Sequence, residues 1–232
     1  MNYAIILSGG VGSRVGANIP KQYIKINGKT ILSYCLEVFE RHQKIDKIVV
    51  VASKEYHPLV LSEVNKYGIK KFFGIADAGE SRQHSILNGL SVIKEFAKDL
   101  SDKDVVLVHD GVRPNITNSV IDACLDFDGF DGALPVIKPQ DTIYFSDDAK
   151  EISGLLDRSK LFLGQSPEVF LLKKYKSCYE GITNEELSLL TGSSQLAHKR
   201  GMRIKLVCGD VENFKITTMY DLERFKHQFK IK

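Results

Sequence analysis

An apolar run of strand length, Tyr3-Ala4-Ile5-Ile6-Leu7, leads directly into Ser8-Gly9-Gly10-Val11-Gly12-Ser13-Arg14-Val15-Gly16, and then into Pro20-Lys21-Gln22-Tyr23. Glycine lets the backbone turn sharply and leaves its N–H groups uncovered, so that an anion can be approached closely. Arg14 and Lys21 add two positive charges beside that nest. A strand that opens into such a loop suits the phosphates of a nucleotide at the open end of a sheet.

The rest of the chain supplies the sheet. Strand-length apolar runs alternate with helix-period segments, which predicts an α/β fold: a Rossmann-like, mostly parallel sheet with helices on both faces. Strands are expected at 3–7, 47–52, 70–73, 105–108, 132–136 and 204–207. Helices are expected at 31–39, 59–66, 83–96, 117–125, 171–179 and 184–199, with a last one from Tyr220. Residues 141–145 and 151–156 read as the two arms of a β-hairpin around the polar turn Ser146–Lys150, a protrusion at about 138–160. No repeat, low-complexity tract or interdomain linker interrupts the 232 residues, so one domain carrying an arm is expected.

Composition excludes several classes. A net charge of +3, with no stretch interleaving basic and aromatic residues, argues against a nucleic-acid partner. No apolar run reaches the ~20 residues of a membrane span, and the N-terminus lacks the features of a signal peptide. The four cysteines are scattered without a CxxC pair, which suits buried apolar roles in a reducing cytoplasm and argues against zinc or disulfides.

Three templates compete for the glycine loop. A Walker A loop needs a terminal Lys-Ser/Thr, which 9–16 lacks. A dinucleotide fingerprint needs a third glycine where Val15 stands, and an acid near the end of the second strand, which reads Val51-Ala52-Ser53. The third, L-x-G-G-x-G-x-R-[MV]-G followed by P-K, is matched from Leu7 to Gly16 and at Pro20-Lys21.

On these residues the chain resembles the cytidylyltransferases that activate small polyol phosphates, and the resemblance runs its whole length. Gly79-Glu80-Ser81-Arg82-Gln83-His84-Ser85 is similar to the family's segment that holds the cytosine base. His109-Asp110-Gly111-Val112-Arg113-Pro114 is similar to its H-D-[AG]-[AV]-R-P. Asp141-Thr142, Asp157-Arg158 and Asn213-Phe214-Lys215-Ile216-Thr217 are similar to its acceptor-side segments.

The resemblance implies the roles. Arg14, Lys21 and Lys215 would be the catalytic cations. Leu7, Ser8, Gly9, Gly10, Gly12, Gly79, Arg82, Ser85 and Gly111 would bind CTP, and Asp110 would hold Mg²⁺. Thr142, Arg158 and Lys215 would bind the polyol phosphate, with the arm reaching into a second copy in a homodimer. Arg158 suits bidentate phosphate recognition, and Lys215 a point-charge contact. Arg113 stays open between ligand contact and support.

The expected reaction transfers CMP from CTP to the polyol phosphate with release of pyrophosphate. Gly164 before Gln165, and Gly111-Val112, lean towards D-ribitol 5-phosphate. Glu212 before Asn213 leans towards the alternative, 2-C-methyl-D-erythritol 4-phosphate. A non-catalytic nucleotide-binding relative is the reading of another class. Two departures bear on it: the family's acidic T-D turn reads Thr191-Gly192-Ser193-Ser194, and its Q-T-P-Q reads Gln165-Ser166-Pro167-Glu168, which adds a charge expected near the acceptor. In the turn, Ser193 or Ser194 could replace an acid that only caps a helix.

Overall fold

Successive residues of the first strand, β1 (Asn2–Leu7), face opposite cores. Ala4 and Ile6 pack in one apolar cluster, Tyr3 and Ile5 in another, and all four are buried. This is the pattern of a strand covered on both faces, where near-continuous hydrophobicity replaces alternation. The structure, a computed structural model, describes residues 1–10, 19–97 and 99–228.

After β1 comes a short hairpin, β2 (Lys25–Ile26) and β3 (Lys29–Thr30), turned by Asn27 and Gly28, both at positive φ. Helix α1 (Ile31–Arg41) is capped by the Thr30 hydroxyl, which accepts from the Ser33 N–H. Then follow β4 (Lys47–Ala52), α2 (His57–Lys66), β5 (Phe72–Asp77) and α3 (Arg82–Phe96). The chain continues through β6 (Val105–Asp110), α4 (Asn118–Leu125) and β7 (Gly132–Ile137). Leu32, Leu36, Phe39, Val60, Val120 and Ile121 bring α1, α2 and α4 onto one face. Ile86, Leu90 and Ile93 bring α3 onto the other. Each such side chain contributes roughly 1.5–3 kcal/mol on burial.

The chain then leaves the sheet for the arm, β8 (Tyr144–Phe145) and β9 (Gly154–Leu155), and returns through β10 (Leu163–Gly164) and β11 (Glu168–Leu171). Helices α5 (Leu172–Ser177), α6 (Asn184–Ser188) and α7 (Ser193–Lys199), strand β12 (Ile204–Cys208) and helix α8 (Met219–His227) complete it. The main sheet runs β10-β7-β11-β6-β1-β4-β5, with β12 parallel to β7. β5, β4, β1 and β6 are mutually parallel, whereas β11 runs antiparallel to both β6 and β7.

Strand order fixes where a ligand can sit. From β1 the chain builds outward through β4 and β5, then crosses back to place β6 on the other side of β1. The sheet's switch point therefore lies between β1 and β6, where Leu7 and Asp110 are register partners at the carboxyl ends. Open α/β sheets bind ligands in that crevice.

The structure corrects several expectations. The third strand is Phe72–Asp77 rather than 70–73. Its Gly74 marks a close approach, since a Cβ there would lie 2.8 Å from Val92 on α3, and does not mark a strand end. The expected helix over 184–199 is two helices. Thr183 and Glu186 form a capping box for α6, and the Gln195 side chain accepts from the N–H groups of Thr191 and Gly192 to start α7. The segment 168–171, expected to lead into a helix, is the reversed strand β11. The hairpin arms pair over two residues each, Tyr144 with Leu155 and Phe145 with Gly154. Cys208 is exposed, unlike the other three cysteines. Among the described residues no helix is long and apolar enough to cross a membrane.

Candidate active site

A cavity of about 490 Å³ opens at the switch point, lined by Leu7, Ser8, Gly9 and Gly10 from the end of β1, with Lys21 and Gln22 behind them. Gly79, Glu80, Ser81, Arg82 and Ser85 close it from the start of α3, and Asp110, Val112 and Lys215 from the β6 side. Gly12 and Arg14 lie outside the described residues.

The loop's geometry is set by groups beneath it. The Gln22 side-chain amide donates to the carbonyls of Ser8 (2.6 Å) and Gly10 (2.8 Å), and the Tyr23 hydroxyl donates to Ser8 O. These bonds fix the Ser8 and Gly10 carbonyls, while the Ser8 N–H donates to Val51 O (2.7 Å). Gly9 is required by packing, because a Cβ there would come within 2.3 Å of Ala78 Cβ, whereas a Cβ at Gly10 would meet nothing within 4 Å. Lys21 is buried despite its charge. Gln22 was not among the expected site residues; its adjacency to Lys21 was the available signal.

At the start of α3 the Ser81 hydroxyl accepts from the His84 N–H, which caps the helix. The Gly79 N–H donates to Ser85 Oγ at 3.0 Å. That leaves the Ser85 proton to point elsewhere, and it makes Gly79 a supplier of space more than of a donor. A Cβ at Gly79 would lie 2.4 Å from His84 Cβ.

The third wall is a buried charge cluster. Arg82 donates through Nε and Nη2 to Asp110 Oδ1 (3.4 and 3.3 Å), through Nη1 to Ser193 Oγ (2.6 Å), and through Nη2 to Glu168 Oε1 (3.0 Å). Lys215 Nζ lies 2.9 Å from Asp110 Oδ2, and Arg113 Nε 3.8 Å from the same oxygen. Burial would push the Asp110 carboxyl up, but the charges of Arg82, Lys215 and Arg113 outweigh it and hold the group well below the usual carboxylate range. Burial pulls the neighbouring His109 down to about 4, so its imidazole is neutral at pH 7.

Lys215 is held by a strap. Arg113 donates to Asn213 O (2.7 Å), the Asn213 side chain to Ser166 O (2.8 Å), and Ile216 N–H to Val112 O (2.9 Å). Arg113, left open from sequence, therefore supports Asp110 and the Lys215 segment.

Not every expected residue reaches this cavity. Gly111 is absent from its lining; its missing side chain answers the Leu7 carbonyl, which a Cβ would approach to 2.9 Å. Thr142 and Arg158 are on the exposed arm. Arg158 donates to Gln140 O and lines a separate cleft of about 510 Å³ with Lys138, Pro139, Gln140, Asp157 and Ser159.

The donor set fits a hard divalent cation in one way. No group of three or more His, Cys, Asp or Glu able to hold a metal occurs among the described residues. Mg²⁺, however, commonly takes one or two carboxylates together with substrate phosphates, and Asp110 at the cavity wall is such a carboxylate, its oxygens shared with Arg82, Lys215 and Arg113.

The profile of the IspD family, described as 2-C-methyl-D-erythritol 4-phosphate cytidylyltransferase, matches residues 2–229. The chain belongs to that family. It is a cytidylyltransferase, as its curated relatives are. One from Clostridium acetobutylicum, named 2-C-methyl-D-erythritol 4-phosphate cytidylyltransferase, is 36% identical over 96% of this chain and 94% of that protein. Another, from Streptococcus agalactiae, named ribitol-5-phosphate cytidylyltransferase, is 31% identical over 97% and 94%. Among solved structures, a 4-diphosphocytidyl-2C-methyl-D-erythritol synthase superposes with a TM-score of 0.80 at 25% identity, covering 98% of each chain.

In this cytidylyltransferase the two departures from the family pattern meet in space. The Glu168 carboxylate accepts the N–H groups of Ser193 (3.1 Å) and Ser194 (2.6 Å), the residues of the acid-free turn. Its charge, expected near the acceptor, instead faces Arg82 and the start of α7. Sequence reasoning missed this role because it treated the two segments separately.

Proposed function

We propose that this family member transfers CMP from CTP to the phosphate of a small polyol phosphate, with release of pyrophosphate. The observation that carries this reading is the convergence of Gly9, Gly10, Lys21, Ser85, Asp110 and Lys215 on one cavity at the switch point. The acceptor phosphate is already an anion, so attack on the α-phosphorus needs no general base. What opposes reaction is the approach of two anions, so positioning and charge stabilisation carry the catalysis.

The loop N–H groups hold the triphosphate, and Lys21 with Arg14 offsets charge on the α-phosphate and leaving group. The Ser85 hydroxyl, its oxygen already accepting from Gly79, donates to an acceptor on the base. Lys215 meets the incoming phosphate. A divalent cation held by Asp110 with the nucleotide phosphates would neutralise more of the charge, as enzymes of this family generally use one.

The arm suits a second copy of this chain. Tyr144 and Leu155, its paired residues, are 58% and 75% exposed, and Phe145, Ile152 and Leu156 are also exposed. An apolar hairpin of this kind gains by packing against a partner. In that homodimer Thr142 and Arg158 would serve the partner's acceptor site. We take the chain to work as a single nucleotidyltransferase domain in the cytoplasm.

For the acceptor we put D-ribitol 5-phosphate first, on Gly164. A Cβ there would make only ordinary contacts, 3.6 and 3.7 Å to Leu134, so packing does not require the glycine. Gly111 loses its weight as a marker because Leu7 explains it. The relatives named for 2-C-methyl-D-erythritol 4-phosphate, at 36% against 31% identity, favour that compound as the second reading. Pyrophosphate release with CTP, Mg²⁺ and each acceptor tests all of this. Preference for ribitol phosphate in kcat/KM is expected, and preference for the other reverses the order. Binding of CTP without turnover on any acceptor points to a non-catalytic protein.

A further inference from the structure

We propose that Glu168 is a positioning residue. Its carboxylate fixes the Arg82 guanidinium at the wall of the nucleotide cavity and acts on CTP only through Arg82. This rests on the cavity binding CTP as proposed above.

Glu168 is only 5% exposed. Burying an ionised carboxylate is costly unless its oxygens are paired, and here both are. Oε2 accepts from Ser194 N–H, and Oε1 accepts from Ser193 N–H and from Arg82 Nη2. The two backbone donors belong to the first turn of α7, so the carboxylate cannot shift unless that helix does.

Arg82 gains what such a long side chain lacks by itself. A free arginine has ≈ 2 kcal/mol of rotamer entropy to lose. The Asp110 contacts alone involve a single oxygen, Oδ1, about which the guanidinium can pivot. Glu168, on the same Nη2, and the Ser193 hydroxyl, on Nη1, add anchors away from Oδ1 and stop that pivot. Arg82 lines the cavity and Glu168 does not.

Electrostatics and positioning predict opposite signs. Neutralising Glu168 raises the net charge around Asp110 by one, which by charge alone should tighten triphosphate binding. If Glu168 works by holding Arg82 in place, the same change weakens it.

The turn offers a rescue site. A Cβ at Gly192 would lie 4.0 Å from Glu168 Oε2, with only ordinary contacts to Gln195 at 3.8 and 3.9 Å. Residue 192 is the N-cap of α7 at φ −123°, where aspartate is well tolerated. A carboxylate introduced there lies beside the end of the residue-168 side chain and restores the negative charge that Glu168→Gln removes.

The experiment measures CTP affinity by calorimetry, and melting temperature, on the full-length wild type, Glu168→Gln and Glu168→Gln/Gly192→Asp. We expect Glu168→Gln to weaken CTP binding by ~10-fold, the scale of one charge-assisted hydrogen bond, and the double variant to recover most of it. Equal or tighter binding by Glu168→Gln overturns the proposal. So does a double variant that regains melting temperature but not affinity, because Glu168 would then be a helix cap and nothing more. Should Glu168→Gln not fold, Glu168→Asp keeps the charge but withdraws it by one methylene, and unchanged CTP affinity in that variant also overturns the proposal. A wild type that does not bind CTP sinks the functional reading and this inference together, whereas unaltered binding in Glu168→Gln, or in Glu168→Asp where that variant replaces it, sinks this inference alone.

Discussion

Lys215 Nζ lies 2.9 Å from Oδ2 of Asp110, joining the segment after β12 to the end of β6 across more than a hundred residues. Asp110 thereby sits among three cations, each of which also needs it. Replacing it by asparagine leaves Lys215, Arg82 and Arg113 crowded together. Removal of one partner from such a buried cluster costs about 3–5 kcal/mol. Asp110→Asn is expected to lower the urea midpoint correspondingly, and to lose turnover even at saturating CTP and Mg²⁺. Wild-type stability in this variant would show that the cluster is not coupled as described.

Lys21→Ala should keep the fold and lower kcat by at least ~10²-fold, the scale seen on losing one transition-state donor. Single-turnover kinetics at saturating substrates read this directly, and a near-normal rate removes Lys21 from the catalytic set.

The glycines at 9 and 10 are predicted to differ sharply. Gly9→Ala forces a Cβ onto Ala78 and should cost about 1–3 kcal/mol as overpacking. Gly10→Ala meets open space, so its melting temperature should stay close to that of the wild type. Equal effects of the two substitutions would contradict the packing argument.

His109 sets an acid limit. Its pKa falls from an ordinary 6.5 to about 4 on folding because burial disfavours the imidazolium. The unfolded chain therefore binds the extra proton more readily. The stability this group contributes is full above pH 6.5 and is lost as pH falls to 4, on the order of 3 kcal/mol. Asp110, also depressed, adds a loss only below its unfolded value of about 3.9. Urea midpoints between pH 7 and 4 should decline, and in His109→Asn that decline should flatten.

Exchange of the arm is tested by mixing two inactive variants. If Arg158 serves the partner's site, Lys21→Ala and Arg158→Ala subunits together rebuild one intact site in each mixed dimer, and activity returns. No recovery after co-refolding places Arg158 in its own subunit's site or outside the chemistry.

The sequence made the sheet and its mouth legible because both rest on short-range signals. Tyr3–Leu7 and Val105–Val108 are buried on both faces and read as unbroken apolar runs, and Gly79–Ser85 carries its cap with it. What remained hidden depends on contacts between distant segments. Glu168 read as a charge near the acceptor because nothing nearby in sequence announces Ser193, Ser194 or Arg82. Gly111 read as ligand-directed, and the 2.9 Å approach that a Cβ there would make to Leu7 O is a second reason for the glycine that no neighbour in sequence announces. The reversed β11 was missed because four residues after a proline carry too little periodicity to be separated from the helix that follows.

The pairing of Leu163 with Ile137 has an evolutionary consequence. The excursion from 138 to 162 leaves and rejoins the sheet at the same place, so its ends are clamped whatever lies between them. Because closure entropy changes only slowly with loop length, insertions, deletions or wholesale replacement of that stretch should leave the β1–β6 crevice undisturbed. Lineages could thus exchange that stretch as one module, and with it the acceptor and subunit contacts proposed for the arm, while the β1–β6 crevice is inherited unchanged. Grafting the corresponding stretch from the Streptococcus agalactiae relative onto this chain would show how far that independence extends.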